Sequence, residues 1–331
     1  MKKIAINGFG RIGRLLFREL LKDKNVQVVA INDLTDAKTL SHLLKYDSAH
    51  GICNADISHD DNNLIVNGKK IPIYSQKDPE LLPWAKLEVE LVVECTGKFV
   101  TKEGAMKHIK AGAKKVLLSA PAKDGNIPTI VYNVNHKTLT KNDIVVSGAS
   151  CTTNALAPLC HVINNNFGIV KGFMTTIHSY TADQRIQDAP HKDLRRARAA
   201  ATNMIPTTTG AAKAIGLVIP ELKGKMHGIA IRVPTITGSI VDLVLELAKS
   251  PTVDEINQCV KNNVSETLGY NSDDIVSSDI IGETHGSIFD PKLTMMIDVN
   301  GKKMYKLFTW YDNETSYTCQ LIRTMIYLLK I

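Results

Sequence analysis

The run Gly8-Phe9-Gly10-Arg11-Ile12-Gly13 restricts this chain to few folds because of what stands on either side of it. Ile4-Ala5-Ile6-Asn7 before it reads as a strand, and Leu15–Leu21 after it reads as a helix. Asp33 follows 33 − 13 = 20 residues after the last glycine, at the end of a second apolar run, VVAIN. Strand, glycine turn, helix, strand and acid make up a dinucleotide-binding βαβ unit. In such a unit Gly8 permits the tight turn, Gly10 lets the backbone approach a pyrophosphate, and Gly13 lets helix pack closely on strand. The helix N-terminus adds free N–H groups and positive potential. A carboxylate at Asp33 would bond the adenosine ribose and repel a 2′-phosphate, which favours NAD over NADP. The competing reading, a glycine turn in an unrelated α/β fold, requires neither the flanking elements nor the acid.

The first half goes on alternating short apolar runs with helix-like segments, as a parallel sheet requires. Strands are predicted at Lys3–Asn7, Gln27–Asn32, Glu90–Cys95, Lys115–Ser119, Thr129–Asn133 and Ile144–Ser147, several of them nearly continuous Val, Ile and Leu. Leu64–Tyr74 instead carries Asn67-Gly68 between two β-rich arms, the signature of a type I′ hairpin inserted in this domain. Beyond about residue 150 the strands lengthen: Ile169–Tyr180, His227–Pro234, Ser239–Leu247, Leu293–Val299 and Lys303–Tyr311, the last two joined by Asn300-Gly301. Thr252 should cap an amphipathic helix, and Glu314–Leu329 is apolar at helical spacing and closes the chain. The expectation is an α/β Rossmann domain over residues 1–149, completed by a C-terminal helix at 314–331. An α+β catalytic domain with a mainly antiparallel sheet should span 150–313. The 331 residues suit two domains at roughly 150 each.

Hydrophobic residues at 44% and charged residues at 22% exclude a disordered or collagenous chain. No apolar run reaches the roughly 18 residues of a membrane span, and Asn7 and Gly8 interrupt the N-terminus before a secretory h-region could form. The six cysteines are scattered without C-x-x-C or Cys/His ligand spacing, so a reduced, cytoplasmic protein without a structural metal is expected. Lysine and arginine exceed the acids by 40 − 33 = 7, a surplus compatible with nucleic acid, anionic membrane or small anionic substrates. The run at Arg195, Arg196 and Arg198 has no interleaved aromatics, which argues against a nucleic-acid patch as the main role.

Two further strand-end loops, Thr96-Gly97 and Ser119-Ala120, stand where ligands approach an open parallel sheet, although each reads equally as an ordinary turn. One cysteine is placed for chemistry. The strand at Ile144–Ser147 ends in Gly148-Ala149-Ser150-Cys151-Thr152-Thr153-Asn154, and helical spacing follows, so Cys151 falls in a helix's first turn. There the helix N-terminus favours a thiolate and lowers the thiol's pKa. Pro158 should kink that helix. Of ten histidines, only His178 in MTTIHSY ends a strong strand in a polar setting; spacing alone does not bring it to Cys151. The other five cysteines read as buried apolar thiols.

The motifs INGFGRIGR, NDLTD, SAPAKD, SGASCTTNALAP, TTIHSYT, RRARAAATNMIPTTTGAAKA, RVPT and WYDNETSY together resemble the phosphorylating glyceraldehyde-3-phosphate dehydrogenase family, in order from residue 4 to residue 317. The resemblance implies that Cys151 adds to the aldehyde of glyceraldehyde 3-phosphate with His178 as base. Hydride would pass to NAD, and inorganic phosphate would cleave the thioester to 1,3-bisphosphoglycerate, in glycolysis. It implies Thr181, Arg196 and Arg232 for the substrate's phosphate, and Ser150, Thr152, Thr209 and Gly210 for inorganic phosphate. Asn313 would fix the nicotinamide amide, and Arg11, Ile12, Lys77, Thr96 and Ser119 match other cofactor contacts. A homotetramer is implied, with the loop near 179–202 against a neighbour's cofactor site, where Ala189-Pro190 fits NAD use. Three positions depart from the family pattern: Ser316 replaces the glycine of WYDNETG, Ala155 a frequent cysteine, and Lys77 the commoner arginine. The rival within enzymes is an erythrose-4-phosphate dehydrogenase, which shares nucleophile and base.

Overall fold

The computed structural model describes residues 1–331 and divides into two compact units. The first holds Met1–Ile130, His136–Ala149 and Leu321–Ile331; the second holds Val131–Asn135 and Ser150–Gln320.

In the first unit, β1 (Lys2–Asn7), α1 (Arg11–Leu20) and β2 (Val26–Asn32) form the βαβ turn that the glycines announce. Then come α2 (Ala37–Lys45), the two-residue pair β3 (Tyr46–Asp47) and β4 (Gly51–Ile52), β5 (Ile57–His59), β6 (Asn63–Val66) and β7 (Lys69–Tyr74). β8 (Leu91–Glu94), α3 (Lys102–Lys110), β9 (Lys115–Leu118) and β10 (Val145–Ser147) follow. The eight-stranded sheet runs β10-β9-β8-β1-β2-β7-β6-β5, parallel from β10 through β7 and antiparallel beyond. β1, β8 and β9 are covered on both faces, and Ile4, Ile6, Val92, Val93, Leu117 and Leu118 are fully buried. The hairpin turn is left-handed at Asn67 (φ 50°) and Gly68 (φ 74°), as a type I′ turn requires. Thr129–Asn133 is not a strand: Thr129 makes one isolated bridge to Ser147, and Asn133 at φ 65° turns the chain away.

The second unit opens with α4 (Cys151–Phe167), then β11 (Ile169–Ser179), β12 (Ile205–Thr208), α5 (Ala211–Val218), β13 (Met226–Val233) and β14 (Ser239–Leu247). α6 (Val253–Asn262), β15 (Leu268–Tyr270), β16 (Ser287–Phe289), β17 (Met295–Val299) and β18 (Lys302–Tyr311) follow, and α7 (Thr315–Lys330) ends the chain. The sheet order is β12-β13-β11-β14-β18-β16-β15 with β17 on β18, and only β11–β13 and β15–β16 are parallel pairs. Along β14 alternate residues are buried, as a sheet covered on one face requires. α6 carries the expected Thr252 cap, reciprocated by Glu255 in a capping box. α4 does not break at Pro158. Residues 152–160 of that helix are buried against α5, α6 and the sheet.

Candidate active site

The cofactor-type residues collect at one edge of the first sheet. Gly8, Asp33, Thr96 and Ser119 each follow the last residue of a parallel strand or stand one residue beyond it, and Lys77 follows β7 by three. They therefore share the carboxyl edge, where open parallel sheets bind ligands. Gly8 has φ +93°, and a Cβ at Gly13 would lie 2.2 Å from the Gly8 carbonyl oxygen, so both positions require glycine. A Cβ at Gly10 would meet nothing within 4 Å, leaving open space above the turn. Gly10, the N-cap of α1, makes no side-chain cap hydrogen bond. This cradle fits a pyrophosphate. Asp33 Oδ2 accepts the Phe9 amide at 2.7 Å and Oδ1 the Thr35 amide at 2.9 Å, which ties the acid to the glycine turn. Arg11 pairs with Asp47, and Ile12 is half-buried on α1.

Beneath this edge lies a buried polar chain that sequence reading did not single out. Trp84 Nε1–H donates to His108 Nδ1 at 3.0 Å, so the ring's proton must be on Nε2, 3.0 Å from Glu94 Oε2. Glu94 also accepts from Asn7 Nδ2, the Thr96 amide and the Thr96 hydroxyl. A buried carboxylate satisfied in this way pins the residues before Gly8 and after Cys95.

The chemically reactive residues belong to the second unit. Ser150 caps α4 by accepting the Thr153 amide at 3.1 Å, which fixes Cys151 as the helix's first residue. β11 ends at His178-Ser179, and Cys151 Sγ is 3.4 Å from His178 Nε2. The Ser179 carbonyl, 2.6 Å from Nδ1, holds the ring proton there, so Nε2 faces sulfur as an acceptor. Ionised singly, each group is disfavoured: burial pushes the Cys151 thiol up, while burial and then Arg232 pull His178 down to about 4. Proton transfer from Sγ to Nε2 makes both charges together, each facing its opposite, with the α4 N-terminus favouring the anion. The titrating unit is the pair, and the thiolate expected at the helix N-terminus arises with the imidazolium.

Tyr311, also absent from the expected set, is fully buried under the pair. Its hydroxyl meets Thr152 Oγ1 at 3.0 Å and Thr176 Oγ1 at 2.8 Å, and its ring stands edge-on to His178. Its signal was available: it ends a strand two residues before Asn313. Asn313 Oδ1 accepts from Thr237 Oγ1, the Gly238 amide and Ser239 Oγ, which leaves its NH₂ end as the donor.

Arg232 on β13 is the register partner of His178 on β11, and its Nη1 donates to Thr181 Oγ1. Arg196 Nε donates to Thr207 Oγ1 at 2.9 Å and Nη2 to the Thr208 carbonyl at 3.3 Å, placing it at the end of β12. Thr209 and Gly210 follow directly, Gly210 as the N-cap of α5. Arg232 Nε is buried and has no hydrogen-bond partner, an unmet donor on the guanidinium whose Nη1 is tied to Thr181. That set suits an anion with several oxygens.

The model of the glyceraldehyde 3-phosphate dehydrogenase NAD binding domain matches residues 2–102, and that of the C-terminal domain of the same family matches residues 150–313. A glyceraldehyde-3-phosphate dehydrogenase of Mycoplasma pneumoniae is 59% identical over 329 residues, covering 99% of this chain and 98% of that protein. Proteins of the same name from Clostridium pasteurianum and Clostridium acetobutylicum are each 55% identical over 333 residues, covering 100% of this chain and 99% of theirs. With both domain models of one family matched in order and relatives of that name 55–59% identical over essentially the whole chain, the chain belongs to the glyceraldehyde-3-phosphate dehydrogenase family.

Proposed function

We propose that the protein is a phosphorylating, NAD-dependent glyceraldehyde-3-phosphate dehydrogenase, acting in glycolysis in the cytoplasm as a homotetramer. The observation that carries the reading is Cys151 Sγ at 3.4 Å from the unprotonated nitrogen of His178, with Arg232 in register beside it. Residues 1–149 with the helix 314–331 would hold NAD, and 150–313 would carry the chemistry.

Sγ attacks the aldehyde carbon as its proton passes to Nε2, and Nε2 returns that proton to the carbonyl oxygen to give the hemithioacetal. The Cys151 amide and His178 would stabilise the charge on that oxygen. NAD held at the glycine cradle, with Asn313 toward its amide, would supply the acceptor for the hydride that leaves the hemithioacetal carbon. Nε2 removes the hydroxyl proton as the thioester forms, and the thioester keeps the acyl group activated. Inorganic phosphate then attacks the acyl carbon, and the leaving sulfur recovers a proton from Nε2. Thr181, Arg196 and Arg232 would hold the substrate's phosphate; Ser150, Thr152, Thr209 and Gly210 would hold the acceptor phosphate. Gly8, Gly10, Arg11, Ile12, Gly13, Asp33, Lys77, Thr96 and Ser119 would bind NAD, with Asn313 donating to the nicotinamide amide.

The tetramer reading is supported by two exposed apolar features of the second unit. Phe173 and Ile229 stand out on adjacent strands of the sheet face away from α4, and Ile186, Leu194 and Met204 are exposed in or just after the 179–202 segment. That segment is held in shape by the Arg185–Ala199 bridge and the Arg198–Asp188 ion pair. Further copies of this chain are the proposed cover. Light scattering should give the mass of four 36.4 kDa chains, and a fully active monomer would exclude the assembly. No helix is long and apolar enough to cross a membrane.

The test of function is NADH formation from glyceraldehyde 3-phosphate with and without inorganic phosphate or arsenate, alongside erythrose 4-phosphate. The names of the relatives favour the first aldehyde. A kcat/KM on erythrose 4-phosphate equal to or above that on glyceraldehyde 3-phosphate would overturn the substrate assignment.

A further inference from the structure

The anion site of the second unit already holds a charge of its own. Thr181 Oγ1 donates to Asp183 Oδ1, Arg196 Nη1 donates to Asp183 Oδ2 at 2.7 Å, and Arg232 Nη1 stands 3.8 Å from Asp183 Oδ1. All three groups assigned above to the substrate's phosphate thus converge on one internal carboxylate. Asp193 plays a different part: it accepts from Thr207 Oγ1 at 2.7 Å and lies 3.4 Å from Arg196 Nε, bracing the guanidinium on its far side. Asp183 leaves the site incompletely satisfied, because Arg232 Nε remains buried without a partner. The Asp183 side chain is 41% exposed, so water can take it when it leaves.

We infer that Asp183 is a built-in stand-in for the substrate's phosphate, displaced when that group binds, and that it raises the affinity any anion needs to occupy the cradle. The inference rests on the proposed function. Arg196 and Arg232 against Asp183 and Asp193 sum to zero charge. A monoanionic ligand replacing Asp183 exchanges one carboxylate-like partner for another, and loses because Asp183 is tethered at high effective concentration. A phosphate dianion brings twice the charge and three terminal oxygens, enough to reach Arg196, Thr181 and the unmet Nε of Arg232 together. Asp183 therefore lowers the apparent affinity of every anion by the fraction of time it occupies the cradle, and only a ligand with more to offer overcomes it.

The test is isothermal titration calorimetry of the full-length protein with sodium sulfate and with sodium acetate, comparing wild type and Asp183→Asn. Only the sulfate event that Arg232→Met removes is counted, which sets aside any second anion site. Sulfate should bind Asp183→Asn about tenfold more tightly, the gain expected if the carboxylate holds the cradle about nine-tenths of the time. Acetate, without measurable binding to wild type, should begin to bind the variant, and KM for glyceraldehyde 3-phosphate should fall. Unchanged or weaker sulfate binding in Asp183→Asn would overturn the inference. If that variant is recovered poorly, Asp183→Ala, which is equally unable to pair, is read in the same way. Sulfate binding needs no turnover, so a wild type that fails to oxidise glyceraldehyde 3-phosphate would defeat the functional reading and leave the role of Asp183 to be judged separately.

Discussion

Replacing His178 with asparagine should move the reactivity of Cys151 to higher pH, by an amount that follows from the geometry. Burial and Arg232 together take the imidazole from its ordinary 6.5 to about 4, a cost to the imidazolium of roughly 3 kcal/mol at about 1.4 kcal/mol per unit. A thiolate at 3.4 Å returns about 5 kcal/mol at an effective dielectric constant of about 20, before the α4 N-terminus adds its share. Moving the proton from thiol to imidazole must also cover the gap between their ordinary values, 9.0 − 6.5 = 2.5 units or a further roughly 3 kcal/mol, so the attraction offsets most of the cost and the pair ionises about 1 kcal/mol more easily than a lone thiol at pH 7. Asparagine keeps the bulk but cannot take the proton, and Cys151 then titrates alone with burial raising its pKa. The ordinary thiol value of 9.0 already leaves only about 1% thiolate at pH 7, and the variant should have less. Iodoacetamide labelling of Cys151, followed by peptide mass spectrometry from pH 5 to 10, should be about fivefold slower at pH 7 in His178→Asn. Its rate should depend more steeply on pH between 7 and 9 than that of wild type, whose pair supplies some thiolate already at neutral pH. Superimposable profiles would mean that His178 does not set the thiolate, and the pair argument would fail.

Three further outcomes are expected. Cys151→Ser should abolish NADH formation while NAD titration, followed by fluorescence, stays close to wild type; substantial turnover would remove Cys151 from the reaction. Burial pushes Cys95 and Cys160 up to about 12, so at pH 8 both should remain unlabelled while Cys151 reacts; labelling of either at a comparable rate would contradict their placement. Gly13→Ala brings a Cβ to 2.2 Å from the Gly8 carbonyl, where backbone must move, so NAD affinity should drop at least about tenfold with a stability loss of about 2–4 kcal/mol. Unperturbed binding and thermal midpoint would show that helix and strand are not in close contact there.

The parts legible in the sequence were those set by local pattern. The glycine turn and Asp33 are spaced by one βαβ unit, and both hairpins were marked by Asn-Gly because the left-handed turn leaves few alternatives. Cys151 could be placed at a helix start because helical spacing follows directly on the strand-end turn, and the Ser150 cap confirms the position. What escaped was decided across long separations. Tyr311 meets Thr152 from 159 residues away, and Glu94 meets Asn7 from 87 away; nothing local to either residue announces its partner. The strand expected at Thr129–Asn133 had the composition for one, but only one bridge forms before Asn133 turns the chain.

The register of β11 with β13 has a consequence for substrate length. His178 and Arg232 are in-register partners in a parallel pair that continues unbroken from Gly172 opposite Met226 to Ser179 opposite Val233. Neighbouring strands lie about 4.8 Å apart, and in-register residues share a face. On the proposed reading, this backbone ladder sets the span from the base at the aldehyde carbon to the guanidinium at the phosphate. The molecule thus carries a ruler ruled by peptide hydrogen bonds, and a sugar phosphate one carbon longer must buckle to fit between its marks. Substituting pocket side chains would not lengthen such a ruler. The adjustable end is Thr181, Asp183 and Arg196, on the irregular segment between β11 and β12, and any drift toward a longer aldehyde would begin there.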